Sequence, residues 1–74
     1  MAKIEIESEV SGNVWKIEKQ VGDVLNQDDV IMILESMKME IPIEAPETGL
    51  LIEIKVNADD QVEEDQIVAV IETS

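Results

Sequence analysis

Along Lys3-Ile4-Glu5-Ile6-Glu7 charged and apolar residues alternate at period two, the pattern of a β-strand with one wet face. Ser11-Gly12-Asn13 interrupts the pattern. It resumes from Val14 to Glu18, with Trp15 and Ile17 on one face and Lys16 and Glu18 on the other. Trp15, the only aromatic residue, is on this reading a core or edge-of-core anchor. Val21-Gly22-Asp23-Val24-Leu25-Asn26-Gln27-Asp28-Asp29 sets two apolar residues among turn formers, which predicts a very short strand between two turns. Val30 to Leu34 is continuously apolar and too short for an independent helix, so it reads as a strand covered on both faces. The same order then returns: Met39 to Ala45, a break at Pro46-Glu47-Thr48-Gly49, Leu50 to Val56, turns around Asn57 to Asp60, a short Gln61-Val62-Glu63, and Ile67 to Glu72. Pro42 cannot donate a ladder hydrogen bond, which puts its strand at an edge or at a gap in pairing.

The return is a repeat. Displacing the sequence by 37 positions sets Ile4 on Ile41, Ile6 on Ile43, Glu7 on Glu44, Gly12 on Gly49, Ile17 on Ile54, Asp23 on Asp60, Asp28 on Asp65 and Glu35 on Glu72. Apolar character is kept at Val14/Leu51, Leu25/Val62, Val30/Ile67, Ile33/Val70 and Leu34/Ile71. The chain is therefore one domain over residues 1–74, made of two repeats of about 2–37 and 39–74 with Lys38 at the junction. Short strands without a helix signal predict an all-β fold: a flattened barrel or sandwich with internal pseudo-twofold symmetry, in which each half buries its apolar face against the other. If the chain ends pair into the sheets, that symmetry sets Lys38 and the termini at opposite ends. With no Gly/Ser-rich or Pro/Ala-rich linker, the chain reads as complete.

Composition narrows the function. A domain of 74 residues buries only about 60% of its unfolded surface, which leaves little room for a catalytic cleft. The 45% hydrophobic content, almost all Ile, Val, Leu and Met, can still supply an efficient core. Neither cysteine nor histidine is present, so no disulfide, thiolate metal site or imidazole base is available. No nucleophile has a visible base, and the chain is read as non-catalytic. The net charge of −13 argues against nucleic acid and anionic membrane surfaces, and it disfavours self-association, so the protein is expected to be a monomer in isolation. No signal peptide or membrane-spanning run is visible, and the expected location is the cytoplasm. Asp28-Asp29 and Asp59-Asp60 lack calcium-loop spacing and read as turn aspartates that hydrogen-bond locally.

The candidate chemistry lies at the junction, in Glu35-Ser36-Met37-Lys38-Met39-Glu40. A lysine on a tight hairpin offers its amine already extended to another enzyme, without the ordering entropy of a flexible loop. Met37 and Met39 flank it with polarizable, unbranched side chains suited to a partner's pocket. Glu35 and Glu40 set carboxylates nearby, and removal of the amine's proton falls to the modifying enzyme. Lys3, Lys16, Lys19 and Lys55 have no such setting.

This motif resembles the attachment site of biotinyl domains, whose usual form is Glu-Ala-Met-Lys-Met. The likeness extends over the whole chain, through Gly12, Gly49, the Val21-Gly22-Asp23 turn and Met39-Glu40-Ile41-Pro42-Ile43. It is greatest to the short, free-standing biotin/lipoyl attachment proteins. The resemblance implies two four-stranded antiparallel sheets with the modified lysine on a hairpin between the halves. It implies covalent biotin on Lys38, recognised with Met37 and Met39 in the context of Glu35, Ser36 and Glu40. Its implied partners are a biotin protein ligase, a biotin carboxylase and a carboxyltransferase, between which the biotin would carry carboxylate. Departures are Ser36 for the commoner Ala, no proline before Ser11-Gly12, Asp29 for a frequent turn glycine, no protruding loop in the first half, and a stronger acidity. Two alternatives stay open: a lipoyl carrier of a 2-oxo acid dehydrogenase or glycine cleavage system, where Asp-Lys-Ala is usual, and an unmodified structural module.

Overall fold

The computed structural model describes residues 2–73. Within them the chain forms β1 (Ala2–Glu7), β2 (Gly12–Ile17), β3 (Val24–Leu25), β4 (Val30–Ser36), β5 (Met39–Glu44), β6 (Gly49–Ile54), β7 (Gln61–Val62) and β8 (Ile67–Thr73). Every strand of the second set lies 37 residues after its counterpart in the first. The all-β, two-sheet architecture is the one expected from the sequence. Sheet order is β1-β8-β6-β3 in one sheet and β5-β4-β2-β7 in the other, all antiparallel.

These orders are images of one another under exchange of the repeats. Each sheet draws two strands from each half, so the halves interlock and neither forms a sheet alone. The apolar faces meet in one core. Leu25, Ile31, Met32 and Leu34 from the first repeat join Leu51, Val62, Val68 and Ile71 from the second, all fully buried. The continuous run Val30 to Leu34 is an inner strand, with Ile31, Met32 and Leu34 buried and Val30 and Ile33 half-buried. Pro42 lies on β5, an edge strand, where its missing N–H costs no ladder bond.

Trp15 corrects the reading of β2. The register against β4 jumps from Val14↔Leu34 to Lys16↔Ile33, so Trp15 is the extra residue of a β-bulge. The bulge resets the alternation, and Val14 turns inward while Trp15 is 49% exposed. Its ring is covered in part by Lys16, whose Nζ lies 5.8 Å from the centroid. A matching bulge at Ile52 interrupts β6, and a second symmetric pair occurs at Ile31 in β4 and Val68 in β8.

The four turns that flank β3 and β7 share one hydrogen-bond pattern. In Gln20–Asp23, Asn26–Asp29, Asn57–Asp60 and Glu63–Gln66 the fourth residue's N–H donates to the first carbonyl at 3.0–3.1 Å. The first residue's N–H donates in return to the fourth side chain, Asp23, Asp29, Asp60 or Gln66, at 2.8–2.9 Å. Of the aspartates read as local hydrogen-bonding groups, Asp29 and Asp60 close turns through their side chains, while Asp28 and Asp59 serve at the positive-φ position; Asp23 closes a turn as well. The third positions, Gly22, Asp28, Asp59 and Asp65, have positive φ, which glycine and aspartate tolerate better than branched residues.

Candidate functional site

Strands β4 and β5 form a hairpin in which Ser36 pairs with Met39, leaving Met37 and Lys38 as a two-residue loop. Both loop residues have positive φ, 51° at Met37 and 64° at Lys38. Positive φ at both central positions marks the type I′ turn, whose twist matches that of the flanking strands. The turn usually takes Asn-Gly, and a side chain at each position costs about 1–2 kcal/mol of backbone strain. The chain therefore holds methionine and lysine where loop geometry alone favours other residues.

The six candidate residues are brought together at one end of the molecule. Met37 is 91% and Met39 65% exposed, Lys38, Glu35 and Glu40 are exposed, and Ser36 is half-buried. Met32, by contrast, is fully buried, so the methionines among the described residues divide into a core residue and a pair beside the lysine. Among the described residues the ion pairs are Lys16–Glu18 and Lys55–Glu53, and Lys38 pairs with neither Glu35 nor Glu40. Those two carboxylates face each other across the hairpin base as register partners. Lys38 is thus exposed at the tip of a paired stem, between two exposed methionines in sequence.

The stem is fixed from the other side by β2. A Cβ at Gly12 would lie 2.5 Å from the Glu35 carbonyl oxygen and 3.2 Å from Ser36 Cβ. Only glycine lets β2 come this close. Sequence reasoning noted Gly12 as a repeat position and missed this contact, although an isolated glycine opening a strand is a signal of close backbone approach.

The molecule measures 36 × 19 × 18 Å. From Ala2, β1 runs to Glu7, and a short connection then reaches Gly12 beside Glu35 and Ser36. The equivalent path runs from Met39 along β5 to Gly49, beside Glu72 and Thr73. The hairpin and the Ala2–Thr73 pair therefore lie at opposite ends, as the symmetry of the sequence suggested.

Fold and site together define a pseudo-symmetric hybrid of barrel and sandwich that displays one lysine on the turn between its halves. The chain belongs to the biotin/lipoyl attachment family, since residues 4–71 match the family described as biotin-requiring enzyme. It is 38% identical over 66 residues to a biotin/lipoyl attachment protein of Bacillus subtilis, covering 89% of this chain and 90% of that one. It is 46% identical over 66 residues to urea amidolyase of Saccharomyces cerevisiae, covering 89% of this chain and 4% of that protein. The crystal structure of Kluyveromyces lactis urea carboxylase superposes with a TM-score of 0.92 at 33% identity, covering 97% of this chain and 6% of that one. The chain thus corresponds to a small part of the two large proteins and to nearly the whole of the Bacillus protein.

Proposed function

We propose that the protein is a biotin carboxyl carrier and that Lys38 is its attachment residue. The observation that carries this is the Met37-Lys38 turn, in which an exposed lysine that has no ion-pair partner among the described residues is bracketed by methionines that are 91% and 65% exposed. A covalent group fits this setting, since an outward amine at a tip can be joined to a partner's substrate without rearrangement of the fold. Similarity to urea amidolyase and urea carboxylase supports biotin over lipoate, and so does methionine on both sides of the lysine.

In the ligase active site the Lys38 amine, freed of a proton, attacks the activated acyl carbon. An amide bond forms between the lysine nitrogen and that carbon, the bond from the carbon to the adenylate phosphate oxygen breaks, and AMP leaves. Met37 and Met39 fill the apolar walls of that site, and the hairpin stem holds the amine extended. When attached, biotin supplies a group that accepts carboxylate at a biotin carboxylase and releases it at a carboxyltransferase. Once modified, the chain contributes position and reach to the carboxyl transfer. Its proposed setting is the cytoplasm, where it meets the ligase as a monomer.

The test is intact mass after exposure in cells to both a biotin ligase and a lipoate ligase, with peptide mapping across Lys38. One biotinyl increment on Lys38, absent from Lys38→Arg, is expected. A lipoyl increment would move the function to acyl or aminomethyl transfer, and no increment would leave a binding module. The flanking methionines are proposed to set the choice of cofactor. Met37→Asp combined with Met39→Ala should lose biotin and gain lipoate; unchanged biotinylation with no lipoylation would overturn that part.

A further inference from the structure

Resting on the proposal that Lys38 is modified, we infer that Gly12 is a positioning residue for the attachment hairpin. It lies 26 positions from the lysine in sequence, yet it meets the hairpin stem through the backbone. A Cβ there would meet the Glu35 carbonyl oxygen at 2.5 Å, the Glu35 carbonyl carbon at 3.2 Å and Ser36 Cβ at 3.2 Å. Two of these are backbone atoms that cannot swing aside as a flexible side chain would. An alanine at this position must push β2 and the stem of β4 apart by about half an ångström or more, and the Met37-Lys38 turn follows immediately on the displaced residues.

The molecule contains its own control. Gly49 is the repeat equivalent of Gly12, and a Cβ there would meet the Glu72 carbonyl oxygen at 2.7 Å and Thr73 Cγ2 at 3.4 Å. The clash is of the same kind and nearly the same size, but it falls at the end away from Lys38. Gly12→Ala and Gly49→Ala therefore load the fold alike and differ in which end they displace. An acceptor amine must meet its reaction partner within a fraction of an ångström, and a misplacement of about 1 Å can cost about 100-fold in rate.

The experiment compares kcat/KM for biotinylation of full-length wild type, Gly12→Ala and Gly49→Ala by a biotin protein ligase, well below each variant's unfolding temperature. Two-dimensional amide spectra are recorded alongside. We expect Gly12→Ala to be biotinylated about 10-fold or more slowly, mostly through kcat, with shifted amides from Glu35 to Glu40. Gly49→Ala should stay within about twofold of wild type while shifting amides near Glu72. Equal rates in the two folded variants would overturn the inference. If neither variant folds, Ser36→Gly and Thr73→Gly, which remove the side chains facing the two glycines, replace them. Slowing confined to Ser36→Gly is then expected, and equal rates overturn it. If wild type itself accepts no biotin, the proposal about Lys38 has failed, and the spectra alone decide whether Gly12 holds the hairpin in place.

Discussion

The hairpin end and its symmetry mate, where β1 meets β8, are built on the same plan, yet the hairpin carries positive-φ strain that the described residues of the mate do not. At the mate, Ala2 pairs with Thr73 and Lys3 faces Glu72, so opposite charges lie across the ladder. At the hairpin, Ser36 pairs with Met39 and Glu40 faces Glu35, so like charges do. The hairpin adds two side-chain-bearing residues at positive φ. Beneath both ends the packing is alike: Gly12 admits the Glu35 carbonyl and Gly49 the Glu72 carbonyl, with Leu34 and Ile71 fully buried below. The scaffold is thus indifferent to which end is used. What distinguishes the hairpin is the covalent join of the two repeats, and there local stability is given up for an exposed Met-Lys-Met tip. Strain of this sort persists where the surroundings over-determine it.

The comparison breaks most severely in the core, where the two ends should behave alike. Leu34→Ala and Ile71→Ala each remove a fully buried side chain at equivalent positions, and each is expected to cost about 2–5 kcal/mol in urea unfolding. The two costs should agree within about 1 kcal/mol if the ends are mechanically equivalent. A wide gap would show that the covalent turn stiffens its own end.

A smaller effect is expected at the turn, with the opposite sign. Met37→Asn places a residue tolerant of the left-handed region at φ 51° and should stabilise the protein by about 0.5–1 kcal/mol, seen as a higher urea midpoint. The same variant should be a poorer ligase substrate, because it loses a thioether beside Lys38. A variant both more stable and equally reactive would show that Met37 serves neither strand geometry nor recognition.

The smallest effect concerns charge. Glu40→Lys copies the mate's arrangement and replaces a like-charge pair by an opposite one, so a gain of about 0.2–1 kcal/mol is expected, diminishing with added salt. The reverse change, Lys3→Glu, should cost a similar amount at the other end. If both changes are neutral at low salt, solvent screens the two pairs equally and the charge difference between the ends has no bearing on stability.

Much of this was legible in the residues alone. Period-two alternation, the turn clusters and the 37-residue repeat are local or self-referential features, and they pointed to short strands, two equivalent halves and a lysine at the junction. Pro42 limited its strand to an edge or a gap in pairing, because a missing N–H excludes it from the interior of a ladder, and of the two the structure has the edge. Asp29 and Asp60 were legible as turn residues, since their side-chain hydrogen bonds reach only three residues along the chain. Tertiary structure decided the rest. Which strands share a sheet depends on partners far away in sequence, so the interlocking of the halves could not be read from either one. The bulge that turns Trp15 outward exists only against the register of β4, and the need for glycine at 12 only against the Glu35 carbonyl. The left-handed turn at Met37 and Lys38 is imposed by the twist of the paired strands, against the preference of the residues that occupy it.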